Sequence, residues 1–206
     1  MERSDFLKLV ASKLYPVLRA DGFRGSGTTL RRVAGPVIHV VNIQGSSTAT
    51  DCYLNLGAHL SFLPTDGGGT CVPARIKEYE CSFRTRILPP DGGIGGRWAY
   101  GATQAESEAL IEGMVAAWRK GGVAFFARFA NYPDDFCRLV KNAILEPPHP
   151  GRSLAYARIG VQVGLLDEAR TIAERALADV SPAATGLRAN LLRFLETPRA
   201  GSPTRG

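Results

Sequence analysis

The chain has 206 residues, of which 45% are hydrophobic, and a formal net charge of +6. These values exclude a mainly disordered chain and fit one folded domain with or without a small extension. The positive surplus lies at the two ends of the sequence and forms no dense run of Lys and Arg, so it gives only weak support to a nucleic-acid partner.

The cysteines and the N-terminal segment bear on location. None of the four cysteines belongs to a C-x-x-C pair or has a His at zinc-finger spacing, and so few thiols in a chain of this length are typical of a reducing compartment. The first residues carry charges at Asp5, Lys8 and Lys13 and lack the apolar centre of a signal peptide. No window is apolar over the length of a membrane span. We therefore expect a cytoplasmic protein with no membrane partner, no metal and no cofactor.

The first half of the chain predicts one helix and then strands. Ser4 is a candidate N-cap, apolar residues recur at helical spacing as far as Leu18, and Asp21-Gly22 is a typical helix end. The segments that follow are rich in β-branched residues or alternate between apolar and polar side chains, as strands do. The four predicted strands are Thr28–Ala34, Val37–Gln44, Asp51–Phe62 and Lys77–Leu88.

From residue 103 onward the pattern is helical. Thr103 and Glu106 form a capping box at the start of one helix, and Gly121-Gly122 is expected to end it. Further helices are predicted over 123–130, 134–145 and 182–195. The segment 153–182 resembles a tetratricopeptide-type helical hairpin, although one such unit is not a binding array. Its small residues, which allow two helices to approach closely, are Ala157, Gly164, Ala169 and Ala176.

This order of elements predicts an α+β fold: an N-terminal helix, a four-stranded and mainly antiparallel sheet, and an all-helical C-terminal half. Stretches rich in Pro and Gly, together with changes in composition along the chain, indicate where it divides. We predict an α+β domain over 1–146, a linker over 147–152, a helical hairpin-like extension over 153–196 and a disordered tail over 197–206.

Alternation along the strands sorts their side chains onto two faces, and the less apolar face collects amides, guanidinium groups, a carboxylate and an imidazole. Arginine forks suit carboxylate and phosphate groups, so this face is a candidate binding site for a protein or for a small polar or anionic ligand. A solvated face with cross-strand Glu–Arg pairs is the alternative. The candidate residues, with Trp98 from the loop after the sheet, are Asn42, Gln44, Tyr53, Asn55, His59, Glu80, Arg84, Arg86 and Trp98.

Other site chemistries find little support. His39 and His59 fall on opposite faces of the predicted sheet, so they are not expected to share a metal ion. Neither Ser46 nor Ser47 stands in a G-x-S-x-G elbow, and the two glycine-rich loops lack a nucleotide-binding signature. No catalytic residue is assigned. Trp98 either closes over a ligand or anchors its loop to the core.

Five motifs follow one another along the first part of the chain: Asp21-Gly22-Phe23, Val40–Gln44, Asn55-Leu56-Gly57, Glu80–Arg86 and Arg97-Trp98. Their order and spacing resemble the bacterial domain-of-unknown-function 4304 family over about residues 1–120. The resemblance implies no activity, because the family has no established one. Six of the candidate residues on the predicted polar sheet face, Asn42, Gln44, Asn55, Glu80, Arg84 and Arg86, lie within these motifs, and this coincidence favours a binding face.

Three functions are compatible with these patterns. The first is a non-enzymatic binding or interaction module that uses the polar sheet face, and a toxin-immunity or antitoxin protein is a specific form of it. The second is an enzyme acting on an anionic small molecule or nucleic acid, with Arg84 and Arg86 as the anion clamp and Glu80 or His59 as acid or base. The third is nucleic-acid binding through arginines near the N-terminus.

Overall fold

A computed structural model of the chain describes residues 2–46 and 50–196. It confirms an α+β fold with a helix, an antiparallel sheet and a helical C-terminal half, in that order. The contacts divide the chain into two compact units, one ending at Ala130 and the other starting at Asn131. This division falls earlier than the predicted linker at 147–152, and a helix already begins at Pro150 inside that segment.

The sheet contains two short strands in addition to the four that were predicted. The strands lie side by side in the order β1, β2, β3, β4 and β5, and each neighbouring pair is antiparallel. The strand β6 pairs with β4 beyond the end of β5. The bounds are Arg24–Ser26 for β1, Thr29–Ala34 for β2, Val37–Gly45 for β3, Asp51–Leu60 for β4, Phe83–Ile87 for β5 and Trp98–Ala99 for β6.

The predicted strand Lys77–Leu88 is wrong over its first six residues. Glu78–Glu80 form a 3-10 turn, and the Glu80 carboxylate accepts a hydrogen bond of 2.6 Å from the backbone N–H of Lys77. The alternation of charged and uncharged residues here imitates a strand, but the carboxylate at the third position of the turn satisfies the backbone locally. Glu80 therefore does not lie on β5.

Three helices complete the first unit: α1 (Arg3–Ala20), α2 (Gln104–Ala117) and α3 (Val123–Ala127). The helix α1 begins one residue before Ser4, with Glu2 at the N-cap position, and its buried residues follow the predicted periodicity. The capping box at Thr103 is confirmed, since its hydroxyl accepts from the N–H of Glu106 at 3.2 Å.

The predicted helix end at Gly121-Gly122 is wrong. Trp118–Gly122 form a π-helical turn that leads directly from α2 into α3. The Trp118 ring lies over Gly122, where an added Cβ would come within 2.4 Å of it, and the indole N–H donates to the Asp21 carboxylate at 2.7 Å. A π turn of this kind inserts one residue into a helix without breaking it.

The second unit consists of α4 (Asp134–Leu145), α5 (Pro150–Gln162), α6 (Leu166–Asp179) and α7 (Thr185–Glu196) in its described part. The helices α5 and α6 form the predicted close pair. Gly160 makes the close approach, since a Cβ there would lie 2.8 Å from that of Ala169, whereas Gly164 lies in the turn between the helices with φ +80°. The predicted tail 197–206 lies outside the described residues.

Across the described ranges, none of the helices is both long enough and apolar enough to cross a membrane.

Candidate functional site

The register of the sheet brings seven of the nine candidate residues onto one face. Asn42 pairs with Asn55 and Gln44 with Tyr53 across β3 and β4, and Asn55 pairs with Arg86 across β4 and β5. Directly opposed residues of an antiparallel pair project to the same side. The members of this polar face are Asn42, Gln44, Tyr53, Asn55, His59, Arg84 and Arg86.

One end of the polar face is covered by the segment 61–82, which we call the covering loop. Arg31 of β2 holds this loop, donating from Nε to the carbonyl of Ile76 at 2.7 Å and from a terminal nitrogen to that of Arg75 at 3.2 Å. A buried apolar cluster fills the space between loop and sheet. Its members are Ile38, Val40, Cys71, Ile76 and Cys81.

His59 lies at this covered end and is only 1% exposed. Its Nδ1 accepts from the backbone N–H of Ser82 at 3.2 Å, which requires Nε2 to carry the proton and donate to the carbonyl of Leu63 at 3.2 Å. Burial lowers the pKa of His59, so the ring remains neutral. Both nitrogens are occupied by the two ends of the covering loop, and His59 therefore acts as its anchor.

Gly57 permits the covering loop to approach the sheet. A Cβ at Gly57 would lie 2.7 Å from Sγ of Cys81 and 3.2 Å from the carbonyl oxygen of Glu78. A Cβ would not fit at 2.7 Å from the sulfur, so the absence of a side chain at Gly57 lets the loop touch the backbone of β4 directly. Burial raises the pKa of the Cys81 thiol, which makes it an unreactive packing group.

Arg84 also serves the covering loop. Its guanidinium donates to the carbonyl of Tyr79 at 2.9 Å and lies 3.9 Å from the carboxylate of Asp66. Glu80, the predicted partner carboxylate, instead caps its own turn. Arg84 and Glu80 thus have structural roles in the covering loop, and we do not assign them to the same site as the other predicted residues.

The other end of the polar face is open and carries a connected group of side chains. Asn55 donates from Nδ2 to Oε1 of Gln44 at 3.0 Å and accepts at Oδ1 from Nε of Arg86 at 3.1 Å. The Arg86 guanidinium carbon lies 3.7 Å from the centre of the Tyr53 ring, a close cation–π stack. Nε of Arg97 donates to the Tyr53 hydroxyl at 2.7 Å. We call Gln44, Tyr53, Asn55, Arg86 and Arg97 the Tyr53 cluster.

Charge and burial in the Tyr53 cluster favour an anion. Asn55 is 4% exposed and forms a rigid base, while Gln44, Arg86 and Arg97 are exposed above it. Among the described carboxylates, only that of Asp51 lies at ion-pair distance from the cluster, 3.4 Å from Arg97, while Glu78 interacts electrostatically with Arg86 from a longer distance. The two guanidinium groups thus share one carboxylate at ion-pair distance, and Asn55 and Tyr53 hold them in defined orientations.

Asn42 lies on the polar face but outside the Tyr53 cluster. Its Nδ2 donates to the hydroxyl of Thr29 at 2.9 Å and to the carbonyl of Thr28 at 3.2 Å. These contacts tie β3 to the start of β2, a structural use of the amide.

Trp98 points away from the polar face. It pairs with Cys52, whose side of β4 is the apolar one, is 2% exposed, and donates from Nε1 to the carbonyl of Ile87 at 3.0 Å. Of the two interpretations of this residue, anchoring of the loop fits the contacts. Its neighbour Arg97 was not among the predicted site residues, although alternation from a buried Trp98 would have placed it on the polar side.

The two buried histidines lie on opposite faces, as predicted. His39 accepts at Nδ1 from Arg32 at 2.9 Å and donates from Nε2 to the carbonyl of Phe129 at 3.1 Å. Burial, helped by the nearby Arg32, lowers the pKa of His39 to about 4. Within the described residues, His, Cys, Asp and Glu side chains form no group of three that could hold a metal ion.

Comparison with known proteins identifies a family whose function is unknown. Residues 14–128, more than half of the chain, match the family model described as a domain of unknown function (DUF4304). Neither the curated proteins nor the solved structures contain a match.

Proposed function

The chain belongs to the DUF4304 family, and from that premise we propose that it is a non-enzymatic binding module that recognises an anionic group through the Tyr53 cluster. The observation that supports this most is the fixation of Arg86, which stacks on Tyr53 at 3.7 Å while Asn55 orients its Nε. A guanidinium that is already oriented loses little conformational entropy when it binds a carboxylate.

Binding is favoured over catalysis because the candidate acid–base groups have other uses. His59 is buried with both ring nitrogens hydrogen-bonded, and Glu80 accepts from the backbone of its own turn. The Tyr53 cluster offers orientation and positive charge, which suit recognition of a carboxylate on a protein or small molecule. An immunity or antitoxin role is one specific form of this proposal, and a toxin encoded beside the gene that co-purifies with the chain would support it.

A cytoplasmic location forms part of the proposal. Its support is the state of the cysteines: Cys52, Cys71, Cys81 and Cys137 are all free thiols, as in proteins of reducing compartments.

The test is an NMR titration of the full chain with citrate and with inorganic phosphate, following the side-chain Nε–Hε resonances of arginine. We expect saturable shifts at Arg86 and Arg97, and the Arg86→Ala variant should lose the shift at the remaining Arg97 resonance. Arg84→Ala is the matched control, since Arg84 lies on the same face but serves the covering loop, and it should leave the titration unchanged. Equal shifts at all exposed arginines, or none at the cluster, would contradict the proposal.

A further inference from the structure

A groove of about 720 Å³ lies in the first unit, on the side of β5 that faces α2, the π turn and α3. Four successive residues, 85–88, line it. The first three of them are the last residues of β5. Successive side chains of a strand point to opposite faces, so a groove that touches three strand residues in a row follows the edge of the strand rather than either face. The groove therefore gives access to the backbone of β5.

The strand β5 is at the margin of the sheet. It pairs with β4 on one side, and within the described residues no strand pairs with its other side. Backbone groups of a strand alternate between its two sides, so about half of those in β5 point away from β4. The carbonyl of Ile87 already accepts from Nε1 of Trp98 at 3.0 Å and is not counted among the accessible groups. Thr85 and Arg86 in the middle of the strand are exposed. An accessible edge of this kind is a template for an added strand.

The wall opposite β5 combines apolar residues with two exposed cations, which we call the basic rim. Ala117, Ala124 and Phe125 supply the apolar surface, and Lys120 and Arg128 supply charge. Together with Arg86 they place three cations around the groove, and its lining residues include no Asp or Glu. This charge selects an acidic occupant.

The π turn holds Lys120 of the basic rim in place. Trp118 is fixed on the inner side of the turn by its stacking on Gly122 and its hydrogen bond to Asp21. Lys120 and Gly121, on the outer side of the same turn, are exposed and line the groove. The π turn thus presents a cation and a glycine to the groove, and the glycine leaves room for a peptide backbone.

We propose that this groove binds an acidic segment of a partner protein in an extended conformation, added as a further strand along β5. Alternate side chains of such a segment would contact the alanine and phenylalanine wall, and acidic side chains between them would meet the cations at the rim. The chain's own residues 197–206 carry two arginines and no acidic residue, so their charge does not suit the groove. This surface is additional to the Tyr53 cluster and shares only Arg86 with it.

The experiment is a selection of ten-residue random peptides displayed on phage against the immobilised full chain. We expect enrichment of sequences with acidic residues at alternating positions. Synthetic versions should bind Lys120→Glu/Arg128→Glu at least tenfold more weakly than the natural chain. Arg119→Glu/Lys141→Glu is the matched control, because both residues are exposed and neither lines the groove, and its affinity should change less than threefold.

Backbone recognition is tested with two N-methylated versions of the best peptide, one methylated at the odd-numbered amides and the other at the even-numbered amides. One of the two peptides should lose binding, since it lacks the N–H groups that pair with β5. No enrichment, enrichment of neutral or basic sequences, equal binding by the charge-reversed variant, or full binding by both methylated peptides would each overturn the proposal. Binding of oleate in the groove, without binding of any peptide, would also overturn the proposal. The Tyr53 cluster is tested separately, because Lys120 and Arg128 are not part of it.

Discussion

Tyr53 and His59 lie on the same face of the same strand, six residues apart, and have opposite surroundings. His59 is 1% exposed and hydrogen-bonded to both ends of the covering loop, whereas Tyr53 is half-buried and supports two exposed arginines. The comparison teaches that strand alternation decides which face a side chain joins, while the connection that follows the strand decides whether this face is accessible.

The largest effect is expected from His59→Ala at the covered end. The change removes two hydrogen bonds of the covering loop and leaves the carbonyl of Leu63 and the N–H of Ser82 without their partner. Loss of a buried side chain together with unsatisfied backbone groups should lower the free energy of unfolding by about 4 kcal/mol. Urea denaturation followed by circular dichroism measures this difference.

Gln44→Ala is the control for His59→Ala, since Gln44 is exposed at the open end of the same face. It should change the free energy of unfolding by less than about 1 kcal/mol. Similar losses from the two variants would show that the covered and open ends contribute equally to stability, contrary to the comparison above.

Acid should destabilise the first unit through its buried imidazoles. Burial lowers the pKa of His39 to about 4 and also lowers that of His59, while an imidazole in the unfolded chain titrates near 6.5. The unfolded state therefore binds more protons between these values, and stability is present above about pH 6.5 and falls as the pH drops toward 4. His39 alone contributes at most about 3 kcal/mol to this loss.

The measurement is the free energy of unfolding between pH 7 and pH 4 for the natural chain and for His39→Gln. The variant should show a shallower decline over this interval. An unchanged slope in His39→Gln would mean that His39 does not remain neutral in the folded state. His149→Gln, at an exposed histidine of the second unit, should keep the slope of the natural chain.

The smallest effect on stability is expected from Arg86→Ala at the open end. Arg86 is exposed, and it contacts the buried amide of Asn55 and the half-buried ring of Tyr53. Removing it should cost less than about 1 kcal/mol of unfolding free energy while abolishing the citrate-induced shifts at the Tyr53 cluster. Thermal denaturation beside the NMR titration separates the two outcomes. A variant that unfolds would make Arg86 a structural residue and end its assignment to a binding site.

The sequence allowed the fold class, the faces of β3 and β4 and the capping box at Thr103 to be predicted. These depend on local periodicity and on short-range hydrogen bonds, which a single sequence displays. The turn at Glu78–Glu80 was missed because a cap formed by one carboxylate overrides an alternating pattern. The strands β1 and β6 were missed because segments of two or three residues carry no period.

The candidate site was predicted only in part, because strand alternation reports the face of a side chain but not its tertiary contacts. Alternation identified Gln44, Tyr53, Asn55 and Arg86, which meet in the Tyr53 cluster. It had no means of showing that residues 61–82 fold back over His59, since that contact depends on tertiary packing of a loop. Nor did it reveal the groove along β5, which requires the π turn to continue where two glycines suggest an end.

The contact between Gly57 and Cys81 has a consequence for how the family can vary. The two residues share a space in which a Cβ on one would lie 2.7 Å from the sulfur of the other, so neither position can enlarge alone. Members of the family that keep the covering loop should therefore change these two positions together, with a larger residue at one matched by a smaller one at the other. Members that lost the loop should be free of this covariation, and their polar face should be open along its full length.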